Sequence, residues 1–232
     1  TGKTTILRGI LSVYQQMGLK CLLAAPTGRA AKRLTEVTGE DASTIHRLLE
    51  AGIDQATGKM VFARDESNPL KCDAVIVDEM SMVDVQLLGS LLQAVPPRAR
   101  LILVGDPDQL PPVGPGFPFR DMLRSRMLPA VCLTEIFRQA QQSLIVMNAH
   151  RVNQGQMPEL GDTKSDFFFL RRRAPEALVE TVVGLCQTRL PENMGIPADQ
   201  IQVLSPTRKG AVGTMNLNKL LQEALNPASE GK

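Results

Sequence analysis

The chain has 232 residues, 43% of them hydrophobic, which is enough to bury a substantial core in one or two domains. Its 26 basic and 24 acidic side chains nearly cancel, so composition alone does not indicate a polyanionic partner, and any basic surface must be local. The sequence contains no run of about 18 apolar residues that would span a membrane and no signal-peptide layout at its start. The four cysteines are too widely spaced for a zinc or redox motif, so we interpret them as small buried side chains and expect a cytoplasmic protein.

In chain order, the first predicted elements alternate between helix and strand. Apolar residues recur at helical spacing after Thr4, and Gly18 stands where that helix would end. CLLAAP predicts a short strand, and TGRAAKRLTEVTG predicts a helix closed by Gly39. Two more apolar runs, at 74–80 and 100–106, predict strands with the helix VQLLGSLLQAV between them. Unbroken apolar strands separated by helices indicate a parallel sheet covered on both faces.

The alternation continues beyond residue 133. SLIVMNAHRVN predicts a helix, FFFL a strand, ALVETVVGLC a helix and IQVLSP another strand, a pattern typical of a second α/β unit. Pro129 ends the preceding segment, and a single sheet would otherwise become large, so we place a boundary near Leu133. The expected domains are 1–133 and 134–232.

The opening residues TGKTT match the second half of a phosphate-binding loop. In such a loop, backbone N–H groups face phosphate oxygens and the lysine reaches the β- and γ-phosphates. Gly2, Lys3, Thr4 and Thr5 are therefore candidates for nucleotide binding. A Gly-Lys-Thr triplet also occurs by chance, so these residues alone decide nothing.

Two further motifs stand where strands of the predicted sheet end. Asp78 and Glu79 follow a buried strand, at the edge where ligands bind in open α/β folds. An aspartate there can hold magnesium and a glutamate beside it can polarise an attacking water, although acidic residues also end strands that have no function. Gln109 follows the next strand, and its amide can donate to or accept from a γ-phosphate or its water. A proline-rich turn without function is the alternative for this loop.

With these motifs in place, the chain resembles superfamily 1 helicases, specifically the RecD-like branch that includes the alpha subunit of exodeoxyribonuclease V. The matching stretches run in the family's order through almost the entire chain: TGKTT, LLAAPTGRAAKRL, STIHRLL, VIVDEMSMVD, LILVGDPDQLPPVGPG, LTEIFRQ and IQVLSPTRKGAVG. GDPDQLPPVG together with PTGRAAKRL is highly specific, whereas TGKTT alone is not. The resemblance implies an α/β fold of the P-loop NTPase class with two RecA-like domains, both incomplete here, and ATP and Mg²⁺ as cofactors.

The resemblance also implies a role for each matching residue of the first domain. Lys3 would neutralise the β- and γ-phosphates, with Gly2 and Thr5 in the same loop. Thr4 and Asp78 would bind magnesium. Glu79 would act on the attacking water, and Gln109 would couple the nucleotide state to movement.

Arg138, in LTEIFRQ, matches an arginine that family members project from the second RecA-like domain onto the γ-phosphate. An arginine supplied across a cleft stabilises the charge of the transition state, an effect worth about 10³ to 10⁵ in rate in related phosphoryl transfers. The alternative is that Arg138 forms a surface salt bridge.

The family's single-strand track runs along PTGRAA and STIHR, so the resemblance points to Thr27, Arg29 and His46 as DNA contacts. Arg29 shares a helix face with two more basic residues, which suits the tracking of phosphates, and a solvated helix face is the alternative. A partly buried helical histidine is the alternative for His46. Arg208, in SPTRKG, is expected to make a mirrored backbone contact from the second unit.

Aromatic side chains that could stack on bases are scarce. The chain contains one tyrosine, no tryptophan and seven phenylalanines, so base stacking is not widespread. We expect Phe167, Phe168 and Phe169 to form a core strand. Phe117 and Phe119 follow the glutamine loop, where family members often have smaller or polar residues, so the sequence departs from the family pattern at this point and leaves the local loop geometry open.

By resemblance, the expected activity is an ATP-dependent helicase that translocates 5′-to-3′ on single-stranded DNA and unwinds duplex DNA in recombination or repair, with nuclease or helicase subunits as further partners. Two alternatives stay open: the helicase portion of a conjugative relaxase, and a non-catalytic scaffold of a nuclease complex. The intact set of ATP-site residues argues against the scaffold. Because the first family motif begins before Thr1 and later motifs would follow residue 232, we expect a fragment with little activity of its own.

Overall fold

Strands and helices alternate along the first part of the chain, as the sequence predicts. The structure is a computed structural model that describes residues 2–133, 142–161 and 166–227. It divides into one unit of Thr1–Gln142 with Val152–Gln156 and a second unit of Ser143–Arg151 with Met157–Lys232. The strands are β1 (Cys21–Ala25), β2 (Ala42–Thr44), β3 (Ala51–Ile53), β4 (Met60–Phe62), β5 (Ala74–Val77) and β6 (Arg100–Leu103). The helices of the first unit are α1 (Lys3–Gln16), α2 (Gly28–Thr38), α3 (Ile45–Leu48), α4 (Val85–Ala94) and α5 (Pro118–Ser125).

Four of these strands form the main sheet, in the order β2-β1-β5-β6, and every neighbouring pair is parallel. The two central strands, β1 and β5, are the most apolar, and all four residues of β5 are buried. A strand with neighbours on both sides and helices on both faces has no polar surface to present, which explains its unbroken run of hydrophobic residues.

Alternation of side chains along β5 builds a core on each face of this sheet. Ile76 packs on one face with Leu7 of α1 and Leu34 of α2. Val75 packs on the other face with Leu91 of α4 and with residues of α3 and α5. Each fully buried aliphatic side chain contributes about 1.5–3 kcal/mol. The expected parallel sheet with helices on both faces is therefore confirmed.

Two glycines end the first two helices, as expected. Gly18 follows α1 with φ +70°, and Gly39 follows α2 with φ +78°. Backbone in this left-handed region is readily accessible only to glycine, so these residues stop each helix and turn the chain toward the next strand.

The strands β3 and β4 pair antiparallel as a separate hairpin after α3. Its turn is stabilised by Asp54, whose carboxylate accepts the backbone N–H of Ala56 at 2.8 Å. Ile53 and Met60, at the turn end of the hairpin, are exposed. The hairpin thus extends from the unit with apolar side chains facing solvent.

Helices dominate the described chain beyond residue 142. They span Leu144–Asn153, Pro175–Gly184, Leu190–Met194 and Thr214–Leu225, with a π turn at Leu185–Arg189 and a short 3₁₀ turn at Ala198–Gln200. The buried side chain of Asn148 bonds both the N–H and the C=O of Glu159, at 2.7 and 2.9 Å. The helices expected at SLIVMNAHRVN and ALVETVVGLC are confirmed.

The two strands expected in this part of the chain are wrong. The described residues at 167–170 and 201–206 are irregular, and Phe168, Phe169 and Leu204 are 49%, 53% and 84% exposed. An apolar run becomes a strand only when its backbone N–H and C=O groups find a partner strand, and the described residues of the second unit contain none. The assignment of 1–133 and 134–232 to two RecA-like domains stays a prediction.

Two expectations from composition concern cysteines and membranes. Cys186 is buried, Cys21 and Cys72 are half-buried, and burial raises the pKa of all three thiols, which keeps them protonated near pH 7. Cys132 is exposed, so its expected burial is wrong.

Throughout the described residues, no helix has both the length and the apolar character needed to cross a bilayer.

Candidate functional site

The first turn of α1 lies at the carboxyl edge of the parallel sheet. Only residues 17–20 connect the end of α1 to the start of β1, and α1 packs across the sheet through Leu7 and Leu11. The helix must therefore run back antiparallel to the strands, which brings Lys3 to the edge where β1 and β5 end. This is the edge at which ligands bind in parallel α/β sheets.

The start of α1 is suited to binding an anion. Gly2 precedes the helix with φ +91°, a conformation that favours glycine, and its C=O accepts the N–H of Ile6 at 3.1 Å. In the described chain, the helix has neither a side-chain cap nor an acidic residue in its first turn. Lys3 is half-buried, whereas Thr4 and Thr5 are exposed. First-turn N–H groups and the helix dipole thus face outward beside a lysine and two hydroxyls.

The acidic pair forms a tight turn at the end of β5. The N–H of Asp78 donates to Ala24 O at 3.0 Å, and Asp78 Oδ1 accepts the N–H of Glu79 at 2.8 Å. Glu79 adopts φ +54° and ψ +41°, which costs a non-glycine residue about 1 kcal/mol or more. Met80 then donates its N–H to Val104 O at 2.9 Å, which ties the turn to the chain leaving β6. Both carboxylates are half-buried at the carboxyl edge.

Gln109 is connected directly to this turn. Its side-chain oxygen Oε1 accepts a hydrogen bond from Ser81 Oγ at 3.0 Å. Its backbone N–H donates to Asp106 O at 3.3 Å, so the loop after β6 is also held by its own turn. The structure therefore brings the glutamine loop and the acidic turn together, as the order of the strands predicts.

Ser81 is a residue that the sequence analysis missed. It is fully buried, as are its sequence neighbours Met80 and Val83. The sequence offered one indication of its role: Ser81 places a hydroxyl inside the stretch VIVDEMSMVD, and a buried polar group requires a hydrogen-bond partner. Its partner lies 28 positions away in the sequence, and so could not be found without the fold.

Phe117 and Phe119 anchor the segment that follows the glutamine loop. Both rings are buried in the core beneath α4 and α5. Gly105 leaves space for the second ring, because a Cβ at this glycine would lie 2.9 Å from Phe119 Cε1. The guanidinium of Arg120 lies 4.5 Å from the centre of the Phe117 ring, in a cation–π contact. The aromatic residues thus fix the segment that follows the loop.

The far end of the loop is fastened to the start of α4. Asp84 caps this helix by accepting the N–H of Leu87 at 2.8 Å, and the N–H of Val85 donates to Pro115 O at 3.0 Å. Gly114 packs against the Asp84 carboxylate so closely that a Cβ there would overlap Asp84 Oδ2. The loop after β6 is therefore attached at two separate points to the segment between β5 and α4. Gln109 bonds Ser81 at one point, and Gly114 and Pro115 contact Asp84 and Val85 at the other.

The residues expected to contact DNA have different environments. Thr27 caps α2 by accepting the N–H of Ala30 at 3.2 Å, so it has a structural role beside any contact with DNA. Arg29 is exposed on the first turn of the same helix. His46 is half-buried, with its ring centre 5.9 Å from that of Phe62 in the hairpin, in agreement with a partly buried helical histidine. Arg208 is exposed in the second unit, and its backbone C=O accepts the N–H of Met215 at 3.2 Å.

Arg138 lies outside the described residues. Among the described residues, no group of three or more histidine, cysteine, aspartate or glutamate side chains could hold a metal by itself. A magnesium ion at this edge would therefore depend on oxygen donors from a nucleotide and water as well as from the protein.

The fold and the site together define a P-loop class of nucleotide-binding domain, with a glycine-lysine helix start, an acidic turn and a glutamine loop along one sheet edge. In agreement, residues 1–115 match the AAA domain family.

The comparisons with individual proteins are more specific. The ATP-dependent RecD2 DNA helicase of Deinococcus radiodurans is 39% identical over 231 residues, which cover the whole of this chain and 30% of that protein. The RecBCD enzyme subunit RecD of Mycolicibacterium smegmatis is 37% identical over 146 residues, covering 53% of this chain and 26% of that one. The ATP-dependent DNA helicase dda of phage T4 is 39% identical over 118 residues, covering 50% and 27%. Over its whole length the chain is therefore similar to a RecD-like helicase.

The chain spans no more than 30% of the length of these three relatives. Among solved structures, it is similar to a Bacteroides Pif1 helicase in complex with ADP-AlF3 and single-stranded DNA. That likeness has a TM-score of 0.45 and 24% sequence identity, and it covers 79% of this chain and 50% of the other.

Proposed function

We propose that the complete protein is an ATP-driven helicase that translocates 5′-to-3′ on single-stranded DNA and unwinds duplex DNA in recombination or repair. The observation that carries the proposal is the joining of the acidic turn and the glutamine loop, through Ser81 and Gln109, at the sheet edge where α1 begins. A motor needs such a connection, because nucleotide hydrolysis at one element must alter the position of another. The relationship to proteins named as ATP-dependent DNA helicases supports the same activity.

Nucleotide binding falls to the start of α1. The backbone N–H groups after Gly2 would face the phosphates, and the ammonium of Lys3 would neutralise charge on the β- and γ-phosphates. The hydroxyls of Thr4 and Thr5 stand on the same exposed turn. The half-buried position of Lys3 suits this role, since partial exclusion of water strengthens its attraction to phosphate.

Thr4 and Asp78 fit a magnesium ion by their chemistry. A hydroxyl and a carboxylate are the hard oxygen donors that Mg²⁺ prefers, and the ion usually completes its coordination with waters and phosphate oxygens. Within the described chain, Asp78 Oδ2 accepts no hydrogen bond, whereas Oδ1 is occupied by the N–H of Glu79. When bound, the ion would supply positive charge to the phosphates.

Glu79 and Gln109 would act at the γ-phosphate and at the water that attacks it. The backbone of Glu79 is left-handed in the turn at the sheet edge. Its carboxylate would accept a proton from the attacking water. Gln109 would contact the γ-phosphate and respond to its loss. Arg138 would supply a second positive charge, by the resemblance of LTEIFRQ to the family motif.

Single-stranded DNA would follow Thr27, Arg29 and His46 on the first unit and Arg208 on the second. Arg29 and Arg208 are exposed and can bind phosphates, whereas Thr27 also caps a helix and His46 also packs on Phe62. Nuclease or helicase subunits would be further partners, a proposal supported by the RecBCD subunit relative, which matches 53% of the chain, whereas the RecD2 relative matches all of it.

The test uses the complete gene product on duplexes with a 5′ or a 3′ single-stranded tail. Wild-type protein is expected to separate the 5′-tailed duplex with ATP and to leave the 3′-tailed duplex paired. Lys3→Ala should abolish unwinding, whereas Lys20→Ala, which removes an exposed lysine just before β1 at the opposite edge, should not. Preference for the 3′ tail would reject the direction, and full unwinding by Lys3→Ala would reject the ATP site.

A further inference from the structure

The hydrogen bond between Ser81 and Gln109 gives the glutamine amide a direction. Ser81 is 0% exposed, and its hydroxyl donates to Gln109 Oε1 at 3.0 Å. Gln109 itself is exposed, and within the described residues its Nε2 has no hydrogen-bond partner. An amide has an acceptor at the oxygen and donors at the nitrogen. With the oxygen bonded to Ser81, the two N–H donors of Nε2 are the end left for a ligand.

The backbone on both sides of this pair is tied down, which holds Ser81 and Gln109 within hydrogen-bonding distance of each other. The acidic turn is tied to the strand edge by the bond from Met80 N to Val104 O at 2.9 Å. The end of the loop is tied to α4 by the bond from Val85 N to Pro115 O at 3.0 Å. Turning the amide over would place Nε2 beside the Ser81 hydroxyl and would direct Oε1 outward, where it would repel a phosphate oxygen.

We propose that Ser81 is a positioning residue that fixes the side-chain amide of Gln109 so that its N–H donors face the γ-phosphate. The inference rests on the proposed function and deepens it, since it states which end of Gln109 meets the nucleotide. Phosphate oxygens are acceptors only, so they match the donor end of the amide. Gln109 thereby distinguishes ATP from ADP by donating to an oxygen that ADP lacks, and Ser81 does not itself touch the nucleotide.

The test compares the affinities of the complete gene product for ATPγS and ADP. Ser81→Ala should weaken ATPγS binding about twofold to tenfold, the effect of one hydrogen bond that is no longer held in place, and should leave ADP binding unchanged. A merely structural defect would weaken both nucleotides together. The matched control is Ser90→Ala: the Ser90 hydroxyl donates to Gln86 O of the same helix at 3.2 Å, its one hydrogen bond within the described chain, and its loss should change neither affinity.

A second variant, Gln109→Glu, decides the orientation even if Ser81→Ala fails to fold. The glutamate keeps an oxygen for Ser81 but has no N–H donor, so it should lose the preference for ATPγS at least as fully as Ser81→Ala. In a Gln109→Ala background, Ser81→Ala should cause no further loss, because the two residues act as one unit.

Two results would overturn the inference alone: an unchanged ATPγS-to-ADP ratio in folded Ser81→Ala, or a wild-type ratio in Gln109→Glu. If wild-type protein binds neither nucleotide, the proposed function itself fails, and that outcome is distinct from both.

Discussion

Gly105 lies directly against the buried ring of Phe119: a Cβ on this glycine would come within 2.9 Å of Phe119 Cε1 and 3.2 Å of Met80 N. The contact joins the loop after β6 to the helix that follows it and to the acidic turn. Because one neighbour is a core ring and the other is backbone, neither can move aside cheaply.

We therefore expect Gly105→Ala to destabilise the protein by about 1–3 kcal/mol through overpacking. Gly89→Ala is the matched control, because Gly89 lies inside α4 and a Cβ there would meet nothing within 4 Å. That substitution should instead stabilise the protein by up to about 1 kcal/mol, the difference in helix propensity. Thermal unfolding of both variants measures the contrast, and equal stability of the two would refute the packing argument.

A second prediction concerns the salt dependence of DNA binding. If Arg29 binds a phosphate, Arg29→Ala should make the negative slope of log affinity against log salt concentration shallower by about one. The loss of affinity should be similar for any DNA sequence. Lys219→Ala is the control, since Lys219 lies on an exposed helix face with its ammonium 4.0 Å from Glu223. Titration of labelled oligothymidylate at several salt concentrations gives both slopes. An unchanged slope for Arg29→Ala would remove Arg29 from the DNA track.

A third prediction follows from the cap of the helix Leu144–Asn153. The Ser143 hydroxyl, together with the N–H groups of Ile145 and Leu144, bonds the Asp166 carboxylate and lowers its pKa from the usual value. Because the folded pKa is lowered, the cap stabilises the helix above the unfolded pKa of about 3.9. This stabilisation is lost as the pH falls through the lower, folded value.

Asp166→Asn should accordingly reduce protection of the helix amides at pH 7, and the difference from wild type should shrink at pH values below about 4. Hydrogen exchange, corrected for its intrinsic pH dependence, measures this protection. Asp199→Asn removes an equal charge from the exposed surface and should have no such effect. A difference from wild type that stays constant over the whole pH range would contradict the assignment of the cap.

The fold of the first unit was predictable because its strands are buried on both faces. In β5, Val75, Ile76 and Val77 are all 0% exposed, so the sequence there has to be continuously apolar. The same rule failed at 167–170 and 201–206, since an apolar run does not show whether a partner strand is present. Strand formation depends on neighbours that are distant in the sequence, and this is why these two predictions were wrong.

The candidate site was predictable only where a residue's position along a strand determined its place. Asp78 and Gln109 follow neighbouring strands of a parallel sheet, so the carboxyl edge brings them together. Ser81 was missed because its importance comes from one contact across the fold. Phe117 and Phe119 depart from the family pattern in sequence, and their burial in the core shows how the segment after the loop is held.

DNA-stimulated ATP hydrolysis by the complete gene product, with Glu79→Gln compared to Glu66→Gln, tests the central claim most directly. Both substitutions replace a carboxylate with an amide of equal size, but Glu79 lies in the turn after β5 and Glu66 in an exposed loop. The account predicts that Glu79→Gln lowers kcat about 10² to 10⁴-fold, as expected for loss of a general base, and that Glu66→Gln has the wild-type rate. A wild-type rate in Glu79→Gln, or no DNA-stimulated hydrolysis by the wild-type protein, would contradict it.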